Sequence, residues 1–118
     1  MTHTHHALDY VEIAQRDVAA AKEFYGSAFG WQFNDYGPDY AGIRSAEGDG
    51  EVGGLNGTSE PSAGGPLVLL WSDDLDATLA AVEKAGGTVV TPPFDFPGGR
   101  RFHFADPGGT VLGVWTAA

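Results

Sequence analysis

The chain has 118 residues, with 6 Lys and Arg against 16 Asp and Glu, a formal charge of −10. A chain of this length makes one domain and buries roughly 60 to 70% of the surface it exposes when unfolded, and with no cysteine it does so without disulfides. Six basic residues do not supply the concentrated positive field that a nucleic-acid backbone or an anionic membrane demands, whereas neutral and cationic small molecules remain open; 18 glycines and 7 prolines stop short of a low-complexity composition.

The first ten residues have neither a basic n-region nor an apolar h-region, so no export signal is read there. The longest unbroken apolar run, Leu67 to Trp71, is too short to cross a bilayer. A soluble cytoplasmic protein is therefore expected. His3, His5 and His6 read as a mobile tail rather than a metal-binding tract. Ala7 to Ala14 alternates as a strand, with Leu8, Tyr10, Glu12 and Ala14 on one face and Val11 and Ile13 on the other. Asp17 is a helix cap, and Val18, Ala21, Phe24, Tyr25, Ala28 and Phe29 fall on one apolar helix face that ends at Gly30. Trp31 to Asp35, Tyr40 to Ser45 and Glu51 to Asn56 are short strands, separated by turns at Gly37-Pro38-Asp39 and Gly48-Asp49-Gly50.

Gly57 to Gly65 contains no large apolar residue and reads as a linker. Beyond it the pattern restarts: a strand from Pro66 to Ser72, a cap at Asp73 or Asp74, and a helical stripe of Leu75, Leu79 and Val82 ending at Gly86-Gly87. Thr88 to Thr91, Arg100 to Ala105 and Thr110 to Trp115 follow as strands, the last two joined by Asp106-Pro107-Gly108-Gly109. Pro92, Pro93 and Pro97 make Thr91 to Gly99 a loop or irregular edge. A single offset of 57 places Tyr10 on Leu67, Glu12 on Leu69, Ala14 on Trp71, Asp17 on Asp74, Tyr25 on Val82 and Gly30 on Gly87. The chain thus reads as two βαβββ modules, about 7–56 and 66–116, within one domain.

The run from Asp17 to Tyr25, then Phe29-Gly30-Trp31, Asp73 to Ala77, Ala85-Gly86-Gly87 and the Asp106-Pro107-Gly108-Gly109 turn resemble the vicinal oxygen chelate superfamily of glyoxalases, bleomycin-resistance proteins and extradiol dioxygenases. The resemblance spans about residues 7 to 116. It implies an α+β fold whose modules curl a mixed sheet into a cup with the helices outside, and commonly a homodimer. In metal-dependent members, His and Glu from the first and last strand of each module chelate a divalent ion. Carried over residue by residue, those positions hold Tyr10, Asn56, Leu67 and Gly113, with Asn56 the least secure because Gly53-Gly54 blurs the register. Leucine and glycine side chains offer no donor, so neither a metal nor another cofactor is expected.

The cup wall expected from strand phase is Tyr10, Glu12 and Ala14 from one module and Leu67, Leu69 and Trp71 from the other, which suits an aromatic or cationic organic ligand. Phe96 and Arg100, on the Pro92 to Arg101 segment, and His103 complete the ligand-binding candidates. That segment is read as a ligand-contacting loop with a Gly98-Gly99 hinge, against the plainer reading of a stiff hairpin. Glu12 and His103 are the catalytic candidates, as an acid/base pair if they meet. Trp31 and Trp115 are expected in the core. The leading expectation is a metal-free sequestering or sensing protein; the alternatives are a lyase, isomerase or dioxygenase with an atypical metal site, and a domain that associates through its sheet edges.

Overall fold

Two aspartates start the two helices in the same way. Asp17, in extended backbone, accepts a hydrogen bond from the Ala20 amide at 3.0 Å and opens α1 (Val18–Phe29). Asp74 accepts from Ala77 at 3.1 Å and opens α2 (Leu75–Lys84). Each carboxylate satisfies an amide that a helix start leaves without an intrahelical partner. Gly30 ends α1 at φ 72°, a left-handed conformation that glycine adopts without steric cost.

The computed structural model describes residues 3–48, 50–62, 65–107 and 109–118. Asp49 and Gly108, members of two expected turns, and Ala63 and Gly64 of the expected linker lie outside the described residues. The strands are β1 (Leu8–Ala14), β2 (Phe33–Asp35), β3 (Tyr40–Arg44), β4 (Glu51–Asn56), β5 (Leu67–Trp71), β6 (Thr88–Phe96), β7 (Gly99–Ala105) and β8 (Val111–Ala117). With the two helices they give the α+β class and the duplicated βαβββ order. The chain divides into two compact units, one Tyr10–Pro66 and the other residues 3–9 with Leu67–Ala118.

In the first unit the strands run β2-β3-β4-β1, and in the second β5-β8-β7-β6. The first and last strands of each module are parallel neighbours, β1 with β4 and β5 with β8, and the remaining pairs within each unit are antiparallel. One sheet face is covered by the module's own helix. In the first unit Val18 and Ala21 of α1 pack with Ala41, Ile43 and Leu55, joined by Ile13, Tyr25 and Phe33. In the second, Leu75 packs with Phe102 and Val114, joined by Leu79, Val82 and Phe104. Because side chains alternate along a strand, the residues between these core positions point away from the helix.

Several expectations are corrected. Residues 88–96 form one strand, the irregular edge that is one of the two expectations for Thr91 to Gly99, and not a loop. The prolines are accommodated because β6 is the last strand in the sheet order, and its pairing with β7 shifts register between Val89 and Thr91 and again between Thr91 and Phe94, as proline requires of an edge strand. With β7 starting at Gly99, Pro97-Gly98 is a tight hairpin connection, not a long contacting loop. Phe24, Ala28 and Phe29, expected on the apolar face of α1, are exposed, as is Trp31, expected in the core. Phe24 lies about a third of a turn from the Val18 and Tyr25 line, and Phe29 is the helix's last residue.

The N-terminal histidines are docked on the second unit. The His6 amide donates to the Trp71 carbonyl at 2.7 Å and the Trp71 amide to Ala7 at 3.1 Å, so backbone pairing runs back to the segment before β1. His3 stacks on Trp71 with centroids 4.0 Å apart and donates from Nδ1 to Asp9 at 2.8 Å. His5 Nδ1 accepts from the Asp73 amide, and His6 Nε2 bonds Thr78 Oγ1.

Phe102 is 0% exposed at the centre of the second core. Phe102→Ala is expected to cost about 3–5 kcal/mol of unfolding free energy, measured by urea denaturation, with the loss read as a lower midpoint at unchanged slope.

Candidate functional site

The face of the first unit that α1 leaves uncovered is polar. Tyr10 and Glu12 stand on it from β1, Asn56 from β4, and Tyr40 from β3, directly opposite Asn56 in the register. Glu12 is only 7% exposed, and a buried carboxylate requires hydrogen bonds. It receives them from Tyr40 Oη at 3.0 Å and Asn56 Nδ2 at 3.0 Å. Tyr40 Oη is also 2.7 Å from Tyr10 Oη. Asn56 Oδ1 in turn accepts from the Thr58 amide and hydroxyl, so the amide flip that points its nitrogen at Glu12 is set by the following turn.

A second carboxylate flanks this network. Glu51 accepts from Asn34 Nδ2 at 2.9 Å and from the Tyr36 hydroxyl, and its head lies where a Cβ on Gly42 would be. The electrostatics follow. Burial pushes the Tyr10 phenol well above its ordinary pKa near 10, and Glu51 and Glu12 push it further. Burial and the charge of Glu12 do the same to Tyr40, more strongly. Tyr36 is raised chiefly by its hydrogen bond to Glu51. The phenols therefore stay neutral through the physiological range.

In the second unit the uncovered face is aromatic with two basic groups. Trp71 of β5 meets Trp115 of β8 edge to face at 4.8 Å, and Phe96 lies 6.0 Å from Trp115. The Trp115 indole donates to Asp9 Oδ2 at 2.9 Å and the Trp71 indole to Asp73 Oδ1 at 2.8 Å. The Arg101 guanidinium carbon is 5.4 Å from the ring centres of both Phe94 and Phe96, and Phe94 meets His103 edge to face at 5.7 Å.

The expected site residues are thus distributed as follows. Tyr10 and Glu12 come together in the first unit. Leu69, Trp71, Phe96 and His103 share the uncovered face of the second, with Leu67 two residues before Leu69 on the same strand. Arg100 has the opposite pleat and pairs with Asp95 at 3.2 Å, so Arg101 occupies the place proposed for it. Sequence reading missed Arg101, although its shared parity with His103 pointed to it. It also missed Tyr40 and Glu51, which reach the network only through cross-strand register, and Trp115, expected in the core, which is half-buried on the uncovered face.

Register also corrects one position carried over from the family. Leu69 lies opposite Gly113, and Glu12, its counterpart at the offset of 57, lies opposite Gly54. The first-module equivalent of Gly113 is therefore Gly54, not Asn56. Both glycines are packed over: a Cβ on Gly54 would overlap the Tyr40 hydroxyl and stand 2.6 Å from that of Tyr10, and one on Gly113 would overlap Leu69 and stand 3.1 Å from the His103 ring. Tyr10, Gly54, Leu67 and Gly113 do not fit a chelated divalent ion, since three of the four have no side-chain donor. Glu12, on the same strand as Tyr10, has both oxygens engaged, by Tyr40 and Asn56.

Paired βαβββ units with these strand ends agree with the comparison to known families: residues 7–114 match the Glyoxalase/Bleomycin resistance protein/Dioxygenase superfamily, and the chain belongs to it. It is 34% identical over 117 residues to CFP32 of Mycobacterium tuberculosis, which carries a glyoxylase name, covering 92% of this chain and 45% of that protein. It is 32% identical over 124 residues to the anthracycline biosynthesis protein DnrV of Streptomyces peucetius, covering 90% and 45%. The chain therefore spans about half the length of these curated relatives. Among solved structures, a Mn(II)-bound glyoxalase from Novosphingobium aromaticivorans superposes with a TM-score of 0.68 at 26% identity, covering 94% of this chain and 38% of that one.

Two outcomes test the network. Glu12→Ala is expected to cost about 2 kcal/mol, because Tyr40 and Asn56 lose a buried acceptor, whereas Glu12→Gln stays within about 1 kcal/mol, since the Tyr40 hydroxyl can turn to accept; chemical denaturation reads both. Above pH 10 the unfolded chain releases tyrosine protons that Tyr10 and Tyr40 retain when folded, so stability is full below that pH and is lost as pH rises beyond it. Ultraviolet absorbance is expected to show these two phenols ionising only together with unfolding, and Tyr40→Phe to make the alkaline loss shallower.

Proposed function

We propose that this protein binds a small organic molecule with an aromatic or cationic group, without a catalytic metal, and acts by sequestration or sensing as bleomycin-resistance proteins of its superfamily do. The observation that carries the reading is the packing over Gly54 and Gly113: the places from which chelating side chains would project are taken by tyrosine hydroxyls in one unit and by Leu69 in the other. What replaces a chelating centre in the first unit is two carboxylates set among neutral phenols. Such a surface favours an ammonium or another positively charged group through charge and through the ring faces. The chain's net charge of −10 steers the same ligands toward it. A relative named for anthracycline biosynthesis supports an aromatic ligand, for which Trp71, Trp115 and Phe96 offer stacking faces.

The test combines metal analysis with a thermal-shift screen. Protein purified without chelator and without a nickel column is expected to carry no stoichiometric Mn, Fe, Ni or Zn; one equivalent of any of these overturns the metal-free reading in favour of a metal-dependent lyase, isomerase or dioxygenase. Cationic aromatic compounds are expected to raise the melting temperature more than aromatic acids or glutathione conjugates. Glu12→Gln is expected to weaken a cationic ligand about tenfold, about 1.4 kcal/mol, in calorimetric titration. Equal affinity of wild type and variant removes Glu12 from the site.

A further inference from the structure

We infer that His3 is the internal occupant of a binding site on the second unit, and that this site takes a planar, protonated nitrogen heterocycle in its place. The inference deepens the small-molecule reading above and rests on it, although its residues belong to a different unit from Glu12. The His3 ring lies on the face of Trp71 with centroids 4.0 Å apart and planes 10° from parallel, and Trp115 stands edge-on to it at 5.4 Å and 87°. With that ring over it, Trp71 is only 9% exposed. Asp9 accepts from His3 Nδ1 with one oxygen and from the Trp115 indole with the other, at 2.8 and 2.9 Å. A single imidazole thus has a floor, a wall and a fixed acceptor.

The fold does not require this box. The first module pairs Ala14 with Asn56 at the register where the second pairs Trp71 with Trp115, so a βαβββ sheet closes with neither indole. The second core, Leu75 with Phe102 and Val114, is likewise built without them. Two indoles set at 86° to each other, with a converging carboxylate whose side chain is 10% exposed, have the composition of a ligand site, apolar walls with few placed polar groups. The charges around it select a cation. Each indole N–H donates to an aspartate, Trp115 to Asp9 and Trp71 to Asp73, and a planar cation is drawn by the ring faces and the carboxylates together. Arg101, the neighbour of Trp115 across β7, is turned to Phe94 and Phe96.

His3 itself describes the ligand. It reaches the box from outside both modules, on a segment tied by the His6 amide to the Trp71 carbonyl and by the Ala7 amide to that of Thr4. Its ring is held by the stack and the bond to Asp9 and remains 29% exposed. An ion pair so open to water contributes little, so a ligand that repeats the contact over a larger ring displaces it. Repeating it takes a flat aromatic system for Trp71 and an N–H directed at Asp9. A protonated fused heterocycle has both, whereas Asp9 and Asp73 repel a ring that bears a carboxylate. An internal occupant lowers the apparent affinity of a ligand by the fraction of molecules in which the site is open.

The probe is 2-aminobenzimidazole, titrated calorimetrically at neutral pH. His3→Ala is expected to bind it about tenfold more tightly than the wild-type chain does, a gain that mere loosening of the structure does not give. N-methylquinolinium, a flat cation with no N–H, is expected to bind His3→Ala about tenfold more weakly than 2-aminobenzimidazole, and adding Asp9→Ala to erase that difference; should the double variant not fold, the two probes on His3→Ala carry the point. In proton NMR of the wild-type chain, the His3 ring signal, displaced by the Trp71 ring current, is expected to move to its solvent position as 2-aminobenzimidazole is added. Equal affinity of wild type and His3→Ala overturns His3 as the occupant while leaving small-molecule binding in place. Binding that leaves the His3 signal unmoved overturns the site, and its loss in Glu12→Gln assigns the probe to the first unit instead. Absence of binding to both proteins overturns the site as well. A gain in His3→Ala that persists when Glu12→Gln is added supports the site independently of Glu12.

Discussion

Parallel pairing of the first strand of each module with its last is the constraint from which the other features follow. A parallel neighbour is not reached by a tight turn, so each chain segment between them travels through a helix and two further strands before returning. The helix, capped by Asp17 or Asp74, is laid on one face of its sheet and takes that face's apolar residues. The other face is then released from the core and is free to diverge. It has done so: phenols, carboxylates and amides in the first unit, indoles, phenylalanines, Arg101 and His103 in the second.

The parallel strand pair of each unit also determines what chemistry the uncovered face supports. Glu12 opposite Gly54 and Leu69 opposite Gly113 are the same position in two copies of one design. In both, a glycine opens space that a neighbouring side chain fills, tyrosine hydroxyls in one case and a leucine in the other. The first outcome holds a buried carboxylate in a hydrogen-bond network, which costs little only because Tyr40 and Asn56 donate to it. The second leaves an apolar floor beneath an aromatic wall. The positions that the resemblance gives to metal ligands thus fall on residues of which three, Gly54, Leu67 and Gly113, have no side-chain donor.

Much of this architecture was legible in the residues themselves. Caps, helix stripes and turn glycines located both helices and all eight strands, β6 only by its first residues, and a constant offset revealed the duplication, because these signals are local and repeat with fixed periods. What escaped was non-local. Tyr40 reaches Glu12 across two strand pairings, and the equivalence of Gly54 and Gly113 rests on registers that the Gly53-Gly54 pair leaves open to any reading along the chain. Phe24 was misplaced for a different reason: its spacing fits a broad apolar face, and only the width of the sheet beneath α1 decides where that face ends. The N-terminal histidines looked like a tail because nothing near them in sequence announces Trp71, Asp73 and Thr78, more than sixty residues away, as their partners.

The prolines of β6 have a consequence for how the protein lives at high concentration. A nine-residue outer strand would ordinarily present a row of amides and carbonyls able to recruit a strand from any neighbour. Pro92 and Pro93 have no amide hydrogen to offer, and the two register shifts beside them break the regular spacing that a recruited strand needs. Growth into open-ended sheet aggregates is thereby disfavoured at this rim, and crowding of this chain favours contacts between side chains over the templated addition of backbone.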